Sequence, residues 1–257
     1  MKIRLKWVAM ICLALLIARP EIANAAELKV LTTGAIKPII QAMIPHYEQE
    51  SGNTVALVND TAGGVVKRVE AGETFDVIVA PPSAIKSMIG KGFILSGTNI
   101  DLVKVGIGVA VKEGEPKPDI SSVDAFKRAL LAAHSVTYID PASGGSSGIY
   151  LANLFKRLGI AAEIKPKSVL SNGGLSAMFL VSGQAEIAIQ QISELMLVKG
   201  VTVVGPLPAA IQNYTIYTGS IGAHSEKKAA ASAFLKLLTS PAAVQLLQEK
   251  GMQPANP

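Results

Sequence analysis

Asp140-Pro141-Ala142-Ser143-Gly144-Gly145-Ser146-Ser147-Gly148-Ile149-Tyr150 is the stretch on which the reading of this chain turns. It follows the strand-like run 135–139 and leads into an apolar, helix-like run, 149–158. A glycine- and serine-rich turn between a strand and a helix exposes backbone N–H groups at a helix N-terminus, where the helix dipole adds positive potential. Such a turn is a seat for an anion. This one offers hydroxyls and no basic side chain, so it points to recognition by hydrogen bonds rather than to a covalent nucleophile.

The same strand–loop–helix unit recurs on either side. Residues 28–31 read as a strand ending in Thr32-Thr33-Gly34-Ala35, and a helix follows over 36–51, closed by Gly52. A second strand, 54–58, runs into the polar turn Asn59-Asp60-Thr61-Ala62-Gly63-Gly64 and a short helix, 65–71. A third, 76–80, is stopped by Pro81-Pro82 before a helix over 84–90. Short connections and strands apolar on both faces predict a doubly wound parallel sheet. Its ligand loops are expected at the carboxyl ends of the strands.

A second block repeats the pattern. It has an extended strand over 103–111, a helix over 123–133, the strand 135–139 and the helix 149–158. An extended piece is expected over 163–169, a helix over 175–182 behind Asn172-Gly173-Gly174, and strands over 186–189 and 200–204. Residues 214–217 read as extended. The helices over 226–239 and 242–250 have no sheet of their own and are expected to return to the first block. The predicted organisation is therefore two α/β lobes, 26–104 and 105–204, with 205–257 returning to the first. Two crossings would form a hinge around a cleft.

The N-terminus carries the pattern of an export signal. Lys2, Arg4 and Lys6 precede an apolar run from Trp7 to Ala18, and Ala23-Asn24-Ala25 is a small-residue cleavage site, so residues 1–25 are read as a signal peptide. Arg19 and Pro20 end the run short of the roughly 20 apolar residues a membrane span needs. The location expected is the periplasm. Without this segment the chain loses four basic residues and one acidic one, and its net charge falls from +5 to +2. The basic balance thus belongs mostly to the leader and argues for no nucleic-acid partner. Cys12, the single cysteine, also lies in the leader, which excludes disulfides and thiolate sites from the mature chain.

Five segments resemble one family in order along the chain. They are Lys29–Ala35, Arg68–Val77, Asp140-Pro141 with Gly148-Ile149-Tyr150, Val181–Ile187, and Lys199–Val203. The family is that of the periplasmic molybdate-binding proteins, which have the type II solute-binding fold of ABC importers. The resemblance implies an α/β, two-lobed type II fold, each lobe a doubly wound sheet. It also implies a cleft that holds an oxyanion with hydroxyls and N–H groups and no cation. By motif position the site residues are Thr33, Gly34 and Ala35, then Thr61, Ala62 and Gly63, then Ser146 and Ser147, and finally Gly174 and Gln191. Ala35 and Ala62 stand where the family has serines, and Gln191 stands where it has a tyrosine. The Asp140–Tyr150 loop is one residue longer than the pattern.

These departures bear on the ligand. Each lost hydrogen bond to a charged group costs about 1.5–3 kcal/mol, so two or three losses remove several orders of magnitude of affinity for a compact metal oxyanion. Backbone donors survive, Gln191 supplies both donor and acceptor, and the longer loop enlarges the pocket. The expected ligand is a small organic di- or tricarboxylate, carried for an ABC permease by a monomer without cofactor. The alternative is an enzyme on the same scaffold: aconitate isomerase, which resembles this family, shifts a proton across an allylic system. That chemistry needs a positioned base and donors for the developing charge. Ser146, Ser147, Asp60, Tyr150 and Tyr217 are candidate bases, and none stands out.

Other chemistries fit poorly. No Gly-x-Ser-x-Gly elbow stands at a suitable strand end, and there is no Walker loop and no Gly-x-Gly-x-x-Gly after the first strand. His46, His134 and His224 fall outside the ligand loops, and no carboxylate pair or histidine cluster has metal-ligand spacing. Lys37, two residues beyond the first loop, could reach a carboxylate, although a lysine at a helix start is usually solvated.

Overall fold

The structure is a computed structural model that describes residues 25–255, so the predicted leader lies, but for its last residue, outside the described residues. The first lobe opens with strand β1 (Glu27–Thr33), a 3-10 turn (Gly34–Ile36), helix α1 (Lys37–Ser51), β2 (Thr54–Asp60), α2 (Ala62–Glu70), β3 (Val77–Ala80) and α3 (Pro82–Gly90). Strand β4 (Ile100–Lys112) leads to the second lobe, with α4 (Val123–Ala132), β5 (Val136–Ile139), α5 (Ser146–Arg157), α6 (Ala161–Ile164), β6 (Ser168–Ser171), α7 (Met178–Val181), β7 (Ile187–Gln191), α8 (Ile192–Leu195) and β8 (Val201–Pro206). Then come β9 (Tyr214–Ile221), α9 (Lys228–Leu237), α10 (Pro241–Glu249) and β10 (Met252–Pro254).

Each lobe has a parallel centre. β1 lies between β2 and β3, all parallel, and β5 lies between β6 and β7, all parallel. The remaining pairings are antiparallel, so the sheets are mixed rather than parallel throughout. β9 inserts antiparallel between β3 and β4, and β4 runs antiparallel to β7, β8 and β10. β4 is shared: its residues 100–106 pair with β9, and 107–112 pair with β7 and β8. The chain therefore passes from one sheet to the other inside β4 and returns between β8 and β9.

The aliphatic run of each strand is what permits helices on both faces. In β1 and β3, Val30, Val77 and Val79 point to one core with Ile39, Ile40 and Met43 of α1, Phe234 of α9 and Leu247 of α10. Their neighbours Leu31, Ile78 and Ala80 point to the other, with Val65 and Val69 of α2 and Met88 of α3. This period-two partition is the signature of strands buried on both sides. The second lobe repeats it: Val109, Val136 and Ile189 pack on Phe126 and Leu154, whereas Ala110 and Ala188 pack on Leu180 and Leu195.

Two local expectations fail. The piece 163–169 is not extended: it forms α6 and a 3-10 turn, Lys165–Lys167, and only Ser168 onward joins the sheet. The helix expected over 175–182 shrinks to the single turn α7. The stretch before α7 is tied down instead, because Gln190 Oε1 accepts from Ser176 N at 2.9 Å and Ser176 Oγ at 2.7 Å, while Gln190 Nε2 donates to Gly174 O at 2.8 Å. These side-chain bonds replace the helix ladder.

Candidate anion-binding cleft

The carboxyl ends of β1, β2 and β3 face those of β5, β6 and β7 across one cavity of about 150 Å³. Nine of the ten residues singled out in the sequence line it: Thr33, Gly34, Ala35, Thr61, Ala62, Ser146, Ser147, Gly174 and Gln191. Gly63 is the exception. It meets the other lobe instead, its N–H donating to Gly144 O at 3.2 Å. A Cβ at position 63 would lie 2.9 Å from Gly144 Cα, so only glycine allows this approach. Beside it Thr61 Oγ1 donates to Ser143 O at 2.6 Å, and deeper in the cleft Ser193 Oγ donates to Ala35 O at 2.9 Å. The two lobes therefore touch directly at the rim and at the floor.

The cavity presents hydrogen-bonding groups rather than cations. Among the described residues no lysine, arginine or histidine lines it. Helical runs beginning at Gly34, Ala62 and Ser146 all point their N-termini inward, each equivalent to roughly half a positive charge. No side chain caps the run at Gly34 or α5, so first-turn N–H groups there have no partner within the helix or from a cap. The capped start is that of α2, where Thr61 Oγ1 accepts from Gly64 N at 3.0 Å. Thr33 Oγ1, Asn59 Oδ1 and Ser147 Oγ also line the cavity, buried and without a hydrogen-bond partner. An orphaned buried polar atom costs about 1–3 kcal/mol, and three around one void are donors and acceptors waiting for a ligand.

Two further groups reach the cavity: Glu194, which the sequence reading does not single out, and Tyr217, one of its candidate bases. Glu194, in α8, is buried, and its carboxyl abuts Gly34: a side chain at position 34 would overlap Glu194 Oε1. Burial pushes this carboxyl up to about 8, with the Gln190 side chain acting in the opposite direction. Tyr217, on β9, brings its phenol to the same cavity. Burial first, and then the charge of Glu194, hold the phenol well above its ordinary value, against hydrogen bonds from Ser146, Gln191 and Thr215. Gln191 Nε2 in turn donates to Ser146 Oγ at 2.8 Å. The cleft thus contains a tyrosine, delivered from β9.

The other candidates are engaged or lie outside the cavity. Asp60 lines the cavity, but its Oδ2 accepts from Arg68 Nε at 2.9 Å and its Oδ1 from Thr61 N at 2.8 Å, so it is a paired turn residue. Tyr150 donates its hydroxyl to Ile211 O at 2.7 Å and does not line the cavity, which removes it as a base. Lys37 does not line the cavity, and His46, His134 and His224 are exposed outside it. Among the described residues no group of three or more histidine, cysteine or carboxylate side chains is placed to hold a metal ion.

This arrangement, a hydrogen-bonding anion cleft between two strand-end loop sets, defines a class. The chain belongs to the bacterial extracellular solute-binding protein family, whose pattern matches residues 28–253. Its architecture is that of the type II periplasmic binding proteins. It superposes on the periplasmic molybdate-binding protein of Azotobacter vinelandii with a TM-score of 0.74 at 17% identity, covering 90% of this chain and 99% of that one. The sulfate-binding protein SubI of Mycobacterium tuberculosis H37Rv gives a TM-score of 0.74 at 18% identity, covering 90% and 88%. Among characterised sequences, the aconitate isomerase of a Pseudomonas species is 32% identical over 250 residues, 94% of each chain.

Proposed function

We propose that this protein is an isomerase that moves a proton across the allylic system of a small unsaturated polycarboxylate, aconitate being the substrate to test first. The observation that carries this reading is Glu194: a buried, cation-free carboxyl inside an anion seat. A group whose proton affinity is moved toward neutrality within a cleft is a candidate acid–base catalyst. The likeness to an aconitate isomerase over nearly the whole chain supports the same reaction.

In this reading Thr33, Gly34, Ala35, Ala62, Ser146, Ser147, Gly174 and Gln191 hold the ligand carboxylates through N–H groups and hydroxyls. Glu194 removes a proton from the methylene carbon. The electron pair spreads over the three-carbon unit into the adjoining carboxyl group, where the helix N-termini stabilise it. A proton then returns at the far carbon, and the double bond has moved. The chemistry takes place in the periplasm, after removal of residues 1–25, in a cleft between lobes 26–104 and 105–204.

The test is direct. The mature protein is incubated with trans-aconitate and the appearance of cis-aconitate is followed by proton NMR. Glu194→Gln should lose on the order of 10²–10⁴-fold in turnover while still binding. A second reading, a carboxylate carrier for an ABC permease, is favoured by the family and by the direct interlobe contacts of Thr61 and Gly63. Tight binding of polycarboxylates without turnover would select it and overturn the isomerase.

A further inference from the structure

The cavity holds its charges in an unusual balance. Three helical runs begin at its wall, where no basic side chain stands among the described residues, and the two acidic side chains lining the cavity differ in their surroundings. Asp60 is neutralised by Arg68 at 2.9 Å. Glu194 has no cation against it. The turn at Gly251 approaches Ile192, the first residue of α8, and the elements packed most closely on the helix are β4, β7, β8 and the turn Gly34–Ile36. Their charged groups are Asp101, Lys104 and Lys112 on β4 and Lys37 beyond the turn, and none of these lines the cavity. Asp101 is bonded to Thr218 at 2.5 Å, and Lys104 lies beside Ile192 at a separate surface pocket. What faces Glu194 is the phenol of Tyr217 from β9 and the amide of Gln190 from β7.

A polycarboxylate entering this space brings like charge against a carboxyl that is only 7% exposed. Two carboxylates confined together without a cation cannot both stay ionised, and they share a proton. We propose that each polycarboxylate bound in the cleft is held together with one proton, shared between Glu194 and the nearest ligand carboxylate, and that this proton is taken up from solution where the free cleft has already released it. The inference rests on the reading of the cleft as a polycarboxylate site.

It also sets the reactive form. With the shared proton on the ligand carboxyl, the adjacent methylene is more acidic and Glu194 is ionised. The C–H bond breaks toward Glu194, the pair passes through the three carbons, and Glu194 later gives that proton to the far carbon. The shared proton is neither consumed nor made, and it leaves with the product. Stored on Glu194 instead, the same proton stabilises the resting complex.

Calorimetric titration of the mature protein with propane-1,2,3-tricarboxylate, which has no double bond to move, tests this. Measured at pH 7 to 9 in buffers of different ionisation enthalpy, the heat gives the protons taken up. The ligand's own carboxyls are ionised across this range. The expected result is uptake approaching one proton above pH 8, with affinity falling up to about tenfold per pH unit there. In Glu194→Gln both effects vanish and affinity at pH 9 exceeds that of the wild type. Binding with no proton uptake, or equal uptake in the variant, overturns the proposal while leaving the isomerase intact. Absence of binding together with absence of trans-aconitate turnover overturns the polycarboxylate reading itself, and this inference with it.

Discussion

Glu194 makes a prediction about stability that needs no ligand. Its carboxyl has an ordinary value of 4.5 and is pushed by burial to about 8 in the folded protein. Below pH 4.5 folded and unfolded chains both hold the proton, and the group has no effect on pH dependence. Between 4.5 and 8 the unfolded chain releases a proton that the folded chain keeps, so stability falls as pH rises. Above 8 both have released it and the loss is complete. One pKa unit is worth about 1.4 kcal/mol, which makes the total on the order of 4–5 kcal/mol. Glu194→Gln keeps the shape and removes the titration. At pH 8.5 the variant should be more stable by about 4 kcal/mol, which for a chain of this size raises Tm by roughly 10 °C. The gap should close steadily toward pH 4.5. Thermal and urea unfolding followed by circular dichroism across that range measures it. Parallel stability curves for the two proteins, with the same slope against pH, would show that Glu194 is not a neutral buried acid and would refute the reasoning.

Three further perturbations probe the cleft and its frame. Ser147→Ala deletes a buried hydroxyl that has no partner, so stability should hold or rise slightly while affinity for a tricarboxylate drops by about 10–100-fold; isothermal calorimetry on the variant decides whether the hydroxyl serves a ligand. Gly63→Ala places a methyl against Gly144 Cα without a strained backbone, so the rim should be wedged apart, with ligand affinity down about tenfold and a larger radius of gyration in ligand-saturated scattering. Asp76 accepts from Lys29 N at 2.8 Å, Ser225 Oγ at 2.8 Å and Lys227 Nζ at 3.1 Å. Burial opposes its charged form, but these bonds outweigh it and hold the carboxyl below its ordinary 3.8. Its stabilisation is present above that value and lost as pH falls through the lowered one; Asp76→Ala should cost about 2–3 kcal/mol near neutrality and flatten the acid limb of the unfolding curve.

The loops of the cleft were legible because their chemistry is local. A glycine or hydroxyl run at a strand end, followed by a helical pattern, marks an anion seat wherever it occurs, and Thr33–Ala35, Thr61–Gly63 and Ser146–Ser147 all carry that mark. What sequence could not show is what arrives from far along the chain. Tyr217 is one of the candidate bases in the sequence, but nothing there places it in the cleft; it arrives because β9 inserts beside β3, in the register Ile78↔Ser220 and Val79↔Gly219. An aliphatic central strand has the same composition whether its neighbour runs parallel or antiparallel, so this insertion left no trace. Glu194 was missed for a related reason. In Ile192-Ser193-Glu194-Leu195 a carboxylate reads as the solvated face of a short helix. It is buried only because α8 turns back against Gly34, and the signal that marks it, a side chain-free position opposite, lies in the other lobe.

The position of Glu194 also separates carriage from catalysis on physical grounds. A protein that only has to hold a polyanion gains from every donor in the cleft, and this cleft is well supplied with them. A buried carboxyl works against that task twice. It weakens the fold by several kcal/mol above neutral pH, and it repels the ligand unless a proton accompanies it. A glutamine at the same place would fill the same volume, donate to the ligand and cost neither. Local disagreement with the demands of folding and binding is where function is expected to reside. Proton transfer is the task for which the carboxyl is suited and glutamine is not, so the same substitution should raise stability and affinity at alkaline pH and abolish turnover. All three changes appearing together in Glu194→Gln would be difficult to reconcile with a carrier. Loss of affinity in that variant at pH 9 would be equally difficult to reconcile with the isomerase.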